Sequence, residues 1–423
     1  MTGTFEETEG RANARLAQRA AVLFLNFLLI ILAYYQVKSA SRSLLIEYWG
    51  AGSFPYVWIV SALVLGTFIG FYHRLVERFS RFLVVLGTLL LLIGLLIGFR
   101  ALFLTASGPA ALAFYVFVDI FSVILVEQFW SLTNTVNDSR EGKKSYWFIG
   151  TGGLLGGVVG AGSAAFLVSA TPMQTPDLLL SCAGLLAVTF VVNLAIGRMG
   201  LYDELRDEEP PAEAAGGWRS LLANRYLLLI AAALFCAQIA QPVVEFQFLK
   251  AIEAAYSDLD ERTAFIGEFF GVLGLVSIAV NLALTPLIHR YLGIMAGMLV
   301  QPVLLAVCSF GFIWQPTLAM ASAMKISDRG LSYSINRASK EQLYIPVDPV
   351  LTYQAKAWID MLGYRLFKIA GAGLIIVYTE WFALGDAVAP IGWLTLAICA
   401  SWALVIAALS REYRLQAPQP VFA

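Results

Sequence analysis

The chain has 423 residues, 59% of them hydrophobic and only 13% charged, with a mean hydropathy of +0.75. An ordinary soluble domain carries about 25% charged residues, so this composition excludes a soluble globular protein and marks an integral membrane protein. The net charge of −1 gives no reason to expect nucleic acid as a partner. All four cysteines (Cys182, Cys236, Cys308 and Cys399) fall in apolar runs without a CxxC or Cys/His pairing. They read as small buried hydrophobes, so neither disulfides nor metal ligands are expected.

Residues 1–19 form a polar segment in which Glu6, Glu7 and Glu9 interrupt what would be a basic region in a signal peptide. No cleaved targeting segment is expected, and the segment is assigned to the cytoplasm. A bilayer-crossing helix needs roughly 20 mostly apolar residues. On that criterion the chain predicts twelve spans, at about 20–46, 54–75, 81–104, 110–135, 146–169, 177–199, 220–249, 263–288, 292–314, 317–337, 353–379 and 388–410. The acidic, proline-bearing stretch GLYDELRDEEPPAEAAGGWRS is the longest loop and reads as a linker. The expected fold class is therefore an all-α membrane protein with 12 transmembrane helices in two pseudo-symmetric six-helix bundles. These are residues 20–199 and 220–410, joined by a cytoplasmic linker at 200–219 and followed by a cytoplasmic tail at 411–423.

Lysine and arginine test the span count, because they gather in cytoplasmic loops. With both termini inside, eighteen lie in inside segments and three, Arg100, Lys250 and Arg262, in outside loops. A missed span would invert every later loop and destroy this bias. The only two histidines, His73 and His289, are each followed by arginine and lie 216 residues apart. Gly160-Ala161-Gly162 recurs as Gly371-Ala372-Gly373 at an offset of 211, which favours parallel six-helix repeats. In span five, Gly152, Gly156 and Gly160 repeat every four residues, as do Gly153 and Gly157. That spacing clears a groove for a closely packed neighbour. The loop HRLVERFSR after span two resembles the basic loop of the major facilitator superfamily between its second and third helices.

Charge within a span costs at least about 2.5 to 3.5 kcal/mol on insertion scales and so faces a cavity or a partner. Thirteen such residues occur: Lys38, Arg42, Asp119, Glu127, Glu245, Glu268, Lys325, Asp328, Arg329, Lys356, Asp360, Arg365 and Lys368. They imply a wet central pathway. Lys325 with Asp328, and Lys356 with Asp360, have the spacing of helical ion pairs and are expected to hold helices together or lock a gate. Lys368 stands twelve residues beyond Lys356 with no acid within one turn, which makes it a candidate substrate contact near mid-membrane. Arg42, Lys38, Arg329 and Arg365 could join it in gripping phosphate, and Tyr34, Tyr35 and Tyr72 could stack on a base. Glu127 and Glu245 read as isolated acids, each able to bind a proton, orient a cation or pair with a remote base, and Asp119 joins them as a candidate for carrying a proton. A Walker A loop is absent from the sequence, which argues against ATP hydrolysis as the energy source.

Several blocks resemble the ATP/ADP translocase family of plastids and intracellular bacteria. Phe129-Trp130 with Asn134, then Lys143-Lys144-Ser145-Tyr146 and Gly150, is similar to that family's FW…N…KRFYPLFG block. Tyr333-Ser334, KEQLYIPVD (Lys340 to Asp348), AKAWID (Ala355 to Asp360) and Lys368 are similar to its KEMAYIPLD…GKAAID…GK series. The resemblance implies a major-facilitator-like fold and nucleotide exchange by alternating access, with basic cavity residues on the phosphates. It places Lys368 on a phosphate-binding lysine and Asn134 among the substrate contacts. In the first helix, where the family reads RDTKD, this chain reads KSASR, which puts Lys38 on the arginine, Ser41 on the functional lysine and Arg42 one position later. The family's acidic positions fall near Val118 or Asp119 and at Gln241-Pro242, with Glu245 about a turn away.

The first expectation is a transporter, not an enzyme, that exchanges nucleotides or a related phosphorylated or organic anion. It would sit in the bacterial inner membrane, embedded in lipid, and work as a monomer without a cofactor. The competing expectation is a proton-coupled facilitator for another solute, such as an amphiphile, a lipid-like molecule or a drug, carried by Glu127, Glu245 and Asp119. A scaffold or receptor without transport is disfavoured, because it has no need of intramembrane charge in both halves.

Overall fold

The computed structural model describes residues 2–105, 107–136, 139–201, 224–344, 346–347, 364–382 and 388–416. The side chains of 2–15, 69–77, 135–136, 139–144, 333, 364–365 and 416 lie outside that description. All regular structure among these residues is helical. The helices are α1 (Thr2–Trp49), α2 (Phe54–Arg78), α3 (Arg81–Leu102), α4 (Gly108–Val136), α5 (Ser139–Ala170), α6 (Leu178–Arg198) and α7 (Arg225–Ala255). After them come α8 (Leu259–Ala279), α9 (Thr285–Tyr291), α10 (Gly293–Trp314), α11 (Leu318–Leu331), α12 (Arg337–Leu343), α13 (Tyr364–Trp381) and α14 (Ile391–Gln416). A π-helical turn, Val280–Leu284, joins α8 to α9, and another, Ser332–Asn336, joins α11 to α12.

Among the described residues, ten helical stretches are long and apolar enough to cross a membrane. They correspond to the first nine expected spans and the twelfth. The expected tenth span is helical from α11 through the π-turn to α12, but Lys325, Asp328, Arg329 and Arg337 make it too charged to qualify on hydropathy. Of the expected eleventh, α13 is described, whereas Lys356 and Asp360 lie outside the described residues.

The chain forms two compact units. The first comprises residues 1–49, 63–209 and 258–272, and the second residues 50–62, 210–257 and 273–423. Each therefore takes in a short segment from the other half of the sequence. In the first unit the core runs along α1, α3, α4 and α6, with Leu23, Ala33, Leu44, Leu96, Phe114, Phe121 and Leu186 fully or almost fully buried. In the second, Tyr226 and Ile230 of α7 pack with Met298 of α10 and with Trp402 and Ile406 of α14.

The glycine row on α5 does what its spacing predicts. A Cβ added at Gly152, Gly156 or Gly160 would lie 2.6, 2.5 and 2.5 Å from the carbonyl oxygens of Phe24, Leu28 and Leu32, which climb α1 in the same four-residue steps. In the second unit a single glycine of α13 makes a similar close approach. A Cβ at Gly371 of α13 would meet Pro242 Cγ at 2.5 Å and the Ile239 carbonyl at 3.3 Å.

The three bases that depart from the positive-inside pattern are each held by an acid. Arg100 pairs with Asp177 at 2.7 Å, Lys250 with Glu253 at 3.1 Å and Arg262 with Glu47 at 3.1 Å. Arg262, 4% exposed, also donates to the Ser43 carbonyl, while Asp260 accepts from the backbone and hydroxyl of Thr175. These bonds fasten the start of α8 to α1 and to the turn before α6.

Candidate functional site

Two polar clusters stand out, one in each unit. In the first, Lys38 and Arg42 lie one turn apart on α1 and so share a face. The Lys38 ammonium sits 4.0 Å from the ring centroid of Phe270, 4.4 Å from that of Tyr35 and 5.5 Å from that of Tyr34. The Arg42 guanidinium is 5.4 Å from the same Phe270 ring and 6.0 Å from Tyr115. All lie within the range over which a ring quadrupole attracts a cation. Tyr35 meets Phe270 edge-on, and Tyr34 meets Tyr35 likewise. The intervening Ser41 is fully buried and donates its hydroxyl back to the Lys38 carbonyl at 3.1 Å. The helical rotation of about 100° per residue thus puts Arg42, rather than Ser41, beside Lys38.

The second cluster is ionic. Lys325 of α11 is fully buried and forms an ion pair with Glu245 of α7, itself 7% exposed. Asp328 lies 4.0 Å from the Lys325 ammonium and 3.9 Å from Arg329. Gln301 of α10 donates to both the Asp328 carbonyl, at 3.0 Å, and its carboxylate, at 3.2 Å. Asn336, in the π-turn, donates to the side-chain amide oxygen of Gln301, Oε1, at 2.8 Å. Two acids and two bases leave this network close to neutral. That is the condition under which charge tolerates burial. Glu245 thus pairs with a remote base, and Lys325 meets this acid on another helix as well as Asp328 on its own.

The TLC ATP/ADP transporter family model matches residues 204–327 and 313–413. The chain is 25% identical over 353 residues to the ADP,ATP carrier protein 1 of Chlamydia muridarum, covering 72% of this chain and 67% of that protein. It is 23% identical over 349 residues to the ADP,ATP carrier protein 4 of Rickettsia conorii, covering 71% and 68% respectively. The chain belongs to the TLC ATP/ADP transporter family. Its fold is similar to that of a bacterial homologue of the iron transporter ferroportin, at a TM-score of 0.64 and 14% identity over 93% of this chain and 99% of that one. A bacterial homologue of the human lysosomal transporter Spinster is also similar, at a TM-score of 0.57 and 14% identity over 96% and 99%. Function as a transporter, rather than an enzyme, follows from this membership.

The remaining family-implied residues are placed as follows. Lys368 is half-buried on α13, three residues before Gly371, where α13 touches Pro242 of α7; Glu245 lies three residues after that proline. The Arg365 side chain lies outside the described residues. Asn134 is exposed and accepts from the Tyr146 hydroxyl at 3.1 Å, which ties the two parts of the FW…N…KKSY block together. Asp119 is half-buried, whereas Glu127 is exposed and its neighbour Gln128 turns inward to donate to Thr88 at 2.9 Å. Three members of the clusters carried no motif signal. Phe270 sits in a phenylalanine-rich run, and Gln301 and Asn336 are neutral, although a glutamine within the apolar run of α10 is the kind of residue that needs a buried partner.

Proposed function

We propose that this protein exchanges nucleotides of the ATP/ADP type, or a related phosphorylated anion, across the bacterial inner membrane by alternating access. In this reading it works as a monomer with twelve spans in two six-helix bundles and both termini cytoplasmic. The observation that carries the proposal is the Lys38 and Arg42 pair set among the rings of Tyr34, Tyr35, Tyr115 and Phe270. A nucleotide offers an anionic phosphate chain and a flat base, and this cluster offers the cations of Lys38 and Arg42 for the one and the tyrosine π-faces for the other. The ADP,ATP carrier relatives support the same substrate class. Lys368 takes the phosphate contact that its motif implies.

In proteoliposomes, uptake of labelled ATP is expected to depend on nucleotide inside the vesicle and to fall sharply in Lys38→Ala and Lys368→Ala. Absence of uptake for every nucleotide tested refutes the proposal. The proton-coupled alternative draws on Glu245, whose buried contact with Lys325 offers a proton a defined route between carboxylate and amine. It requires transport that collapses with a protonophore and in Glu245→Gln.

A further inference from the structure

We propose that Phe270 is a positioning residue of the substrate site, a single ring that gathers the Lys38 ammonium and the Arg42 guanidinium onto one face so that both meet the same anionic group. The inference rests on the nucleotide reading for its substrate, but its geometry stands apart from any motif. Like charges four residues apart on a helix repel, and their long side chains carry much rotamer freedom that binding would have to remove. One ring within 4.0 Å of the first cation and 5.4 Å of the second opposes both tendencies.

The ring is itself fixed. Phe270 is 4% exposed and is met edge-on by Tyr35 and Phe269. One turn earlier, a Cβ at Gly267 would lie 2.7 Å from the Ala161 carbonyl and 2.9 Å from the Ala165 nitrogen, so α8 is seated directly on the backbone of α5. Below that, Arg262 holds Glu47 and Asp260 holds Thr175. Two levels of anchoring thus set the ring's position against α1. An aromatic ring suits this role better than a carboxylate would. It orients cations without competing as an anion, and it yields them to a phosphate, whose charge-assisted bonds are stronger. Preorganisation of this kind raises affinity by lowering the ordering cost of binding.

The test measures binding of ATP, pyrophosphate and adenosine to the purified full-length protein, with uptake of labelled ATP in proteoliposomes. Phe270→Leu is expected to weaken ATP and pyrophosphate alike by about 10-fold, to raise the KM for ATP uptake in step, and to leave adenosine binding unchanged. Phe270→Tyr and Phe270→Trp are expected to stay within about 3-fold of wild type, since they keep the ring. Should Phe270→Leu not fold, Phe270→Met fills similar volume without a ring and gives the same reading. Equal losses in the Leu and Tyr variants would show mere packing and overturn the proposal. A loss for ATP not shared by pyrophosphate would do so too, by showing that the ring stacks on the base. Wild type that binds pyrophosphate but not ATP refutes the nucleotide reading alone, because the pyrophosphate arm still reports on Phe270. Wild type that binds none of the three refutes both.

Discussion

Replacing Lys325 by methionine removes a base that is fully buried and contacts the carboxylates of both Glu245 and Asp328. Breaking a buried pair from one side costs about 3 to 5 kcal/mol, because the stranded charge has lost both water and partner. Solvent screening gives no discount at this site, since the side chains of Lys325 and Asp328 are 1% and 2% exposed. Glu245→Gln should cost less, because Lys325 keeps Asp328 at 4.0 Å and Gln301 still holds that carboxylate. At roughly 2 to 4 °C per kcal/mol for a unit of this size, Lys325→Met should lower the melting temperature in detergent by about 10 °C. The double variant Lys325→Met/Glu245→Gln removes both charges and should recover much of that loss, the signature of direct coupling. Lys325→Met that melts with wild type, or a double variant less stable than Lys325→Met alone, would refute the ion-pair reasoning.

Gly156→Ala drives a methyl group against the Leu28 carbonyl, which cannot move without α1, and should destabilise by about 1 to 3 kcal/mol. Gly162→Ala, with nothing within 4 Å, should be stabilising by up to about 1 kcal/mol, and melting curves of the two will separate groove packing from helix propensity. Lys368→Ala should raise the KM for nucleotide with little change in melting temperature, whereas Lys356→Ala should alter turnover more than KM; initial-rate uptake distinguishes them. In a cysteine-free background, Leu104→Cys should react with an impermeant maleimide in intact spheroplasts and Ser80→Cys only after permeabilisation, since both sites are exposed and the span order puts them on opposite sides. The reverse pattern would invert the orientation. Arg262→Gln frees Glu47 and the Ser43 carbonyl, and faster hydrogen exchange should follow over 258–272 than over the rest of the first unit.

Much of the architecture is written in short-range pattern. Runs of about 20 apolar residues are enough to locate a helix in lipid, because backbone groups there have no other way to be satisfied. The four-residue glycine step of α5 reports a groove on its own surface, so its use against α1 was legible before any partner was known. The charged stretch of α11 could also be read as buried, since lipid does not tolerate it. The KEQLYIPVD and AKAWID blocks were likewise enough to indicate the family.

What pairs with what was not legible. Periodicity reports which residues share a face of one helix, over one or two turns, and it led naturally to Lys325 with Asp328. Glu245 is 80 residues away in sequence, and only the packing of α7 on α11 brings its carboxylate closer to Lys325 than the neighbour on the same helix. The same holds for Phe270, which becomes a partner of Lys38 and Arg42 only because the start of α8 is fastened into the first unit by Arg262, Asp260 and Gly267. The sequence by itself determined that the chain would be a bundle of membrane helices carrying buried charge. The tertiary structure decided how each charge is held, by carboxylates around Lys325 and by rings around Lys38, because ion-pair and cation–π contacts act over a few ångströms that only the packing of distant helices can set.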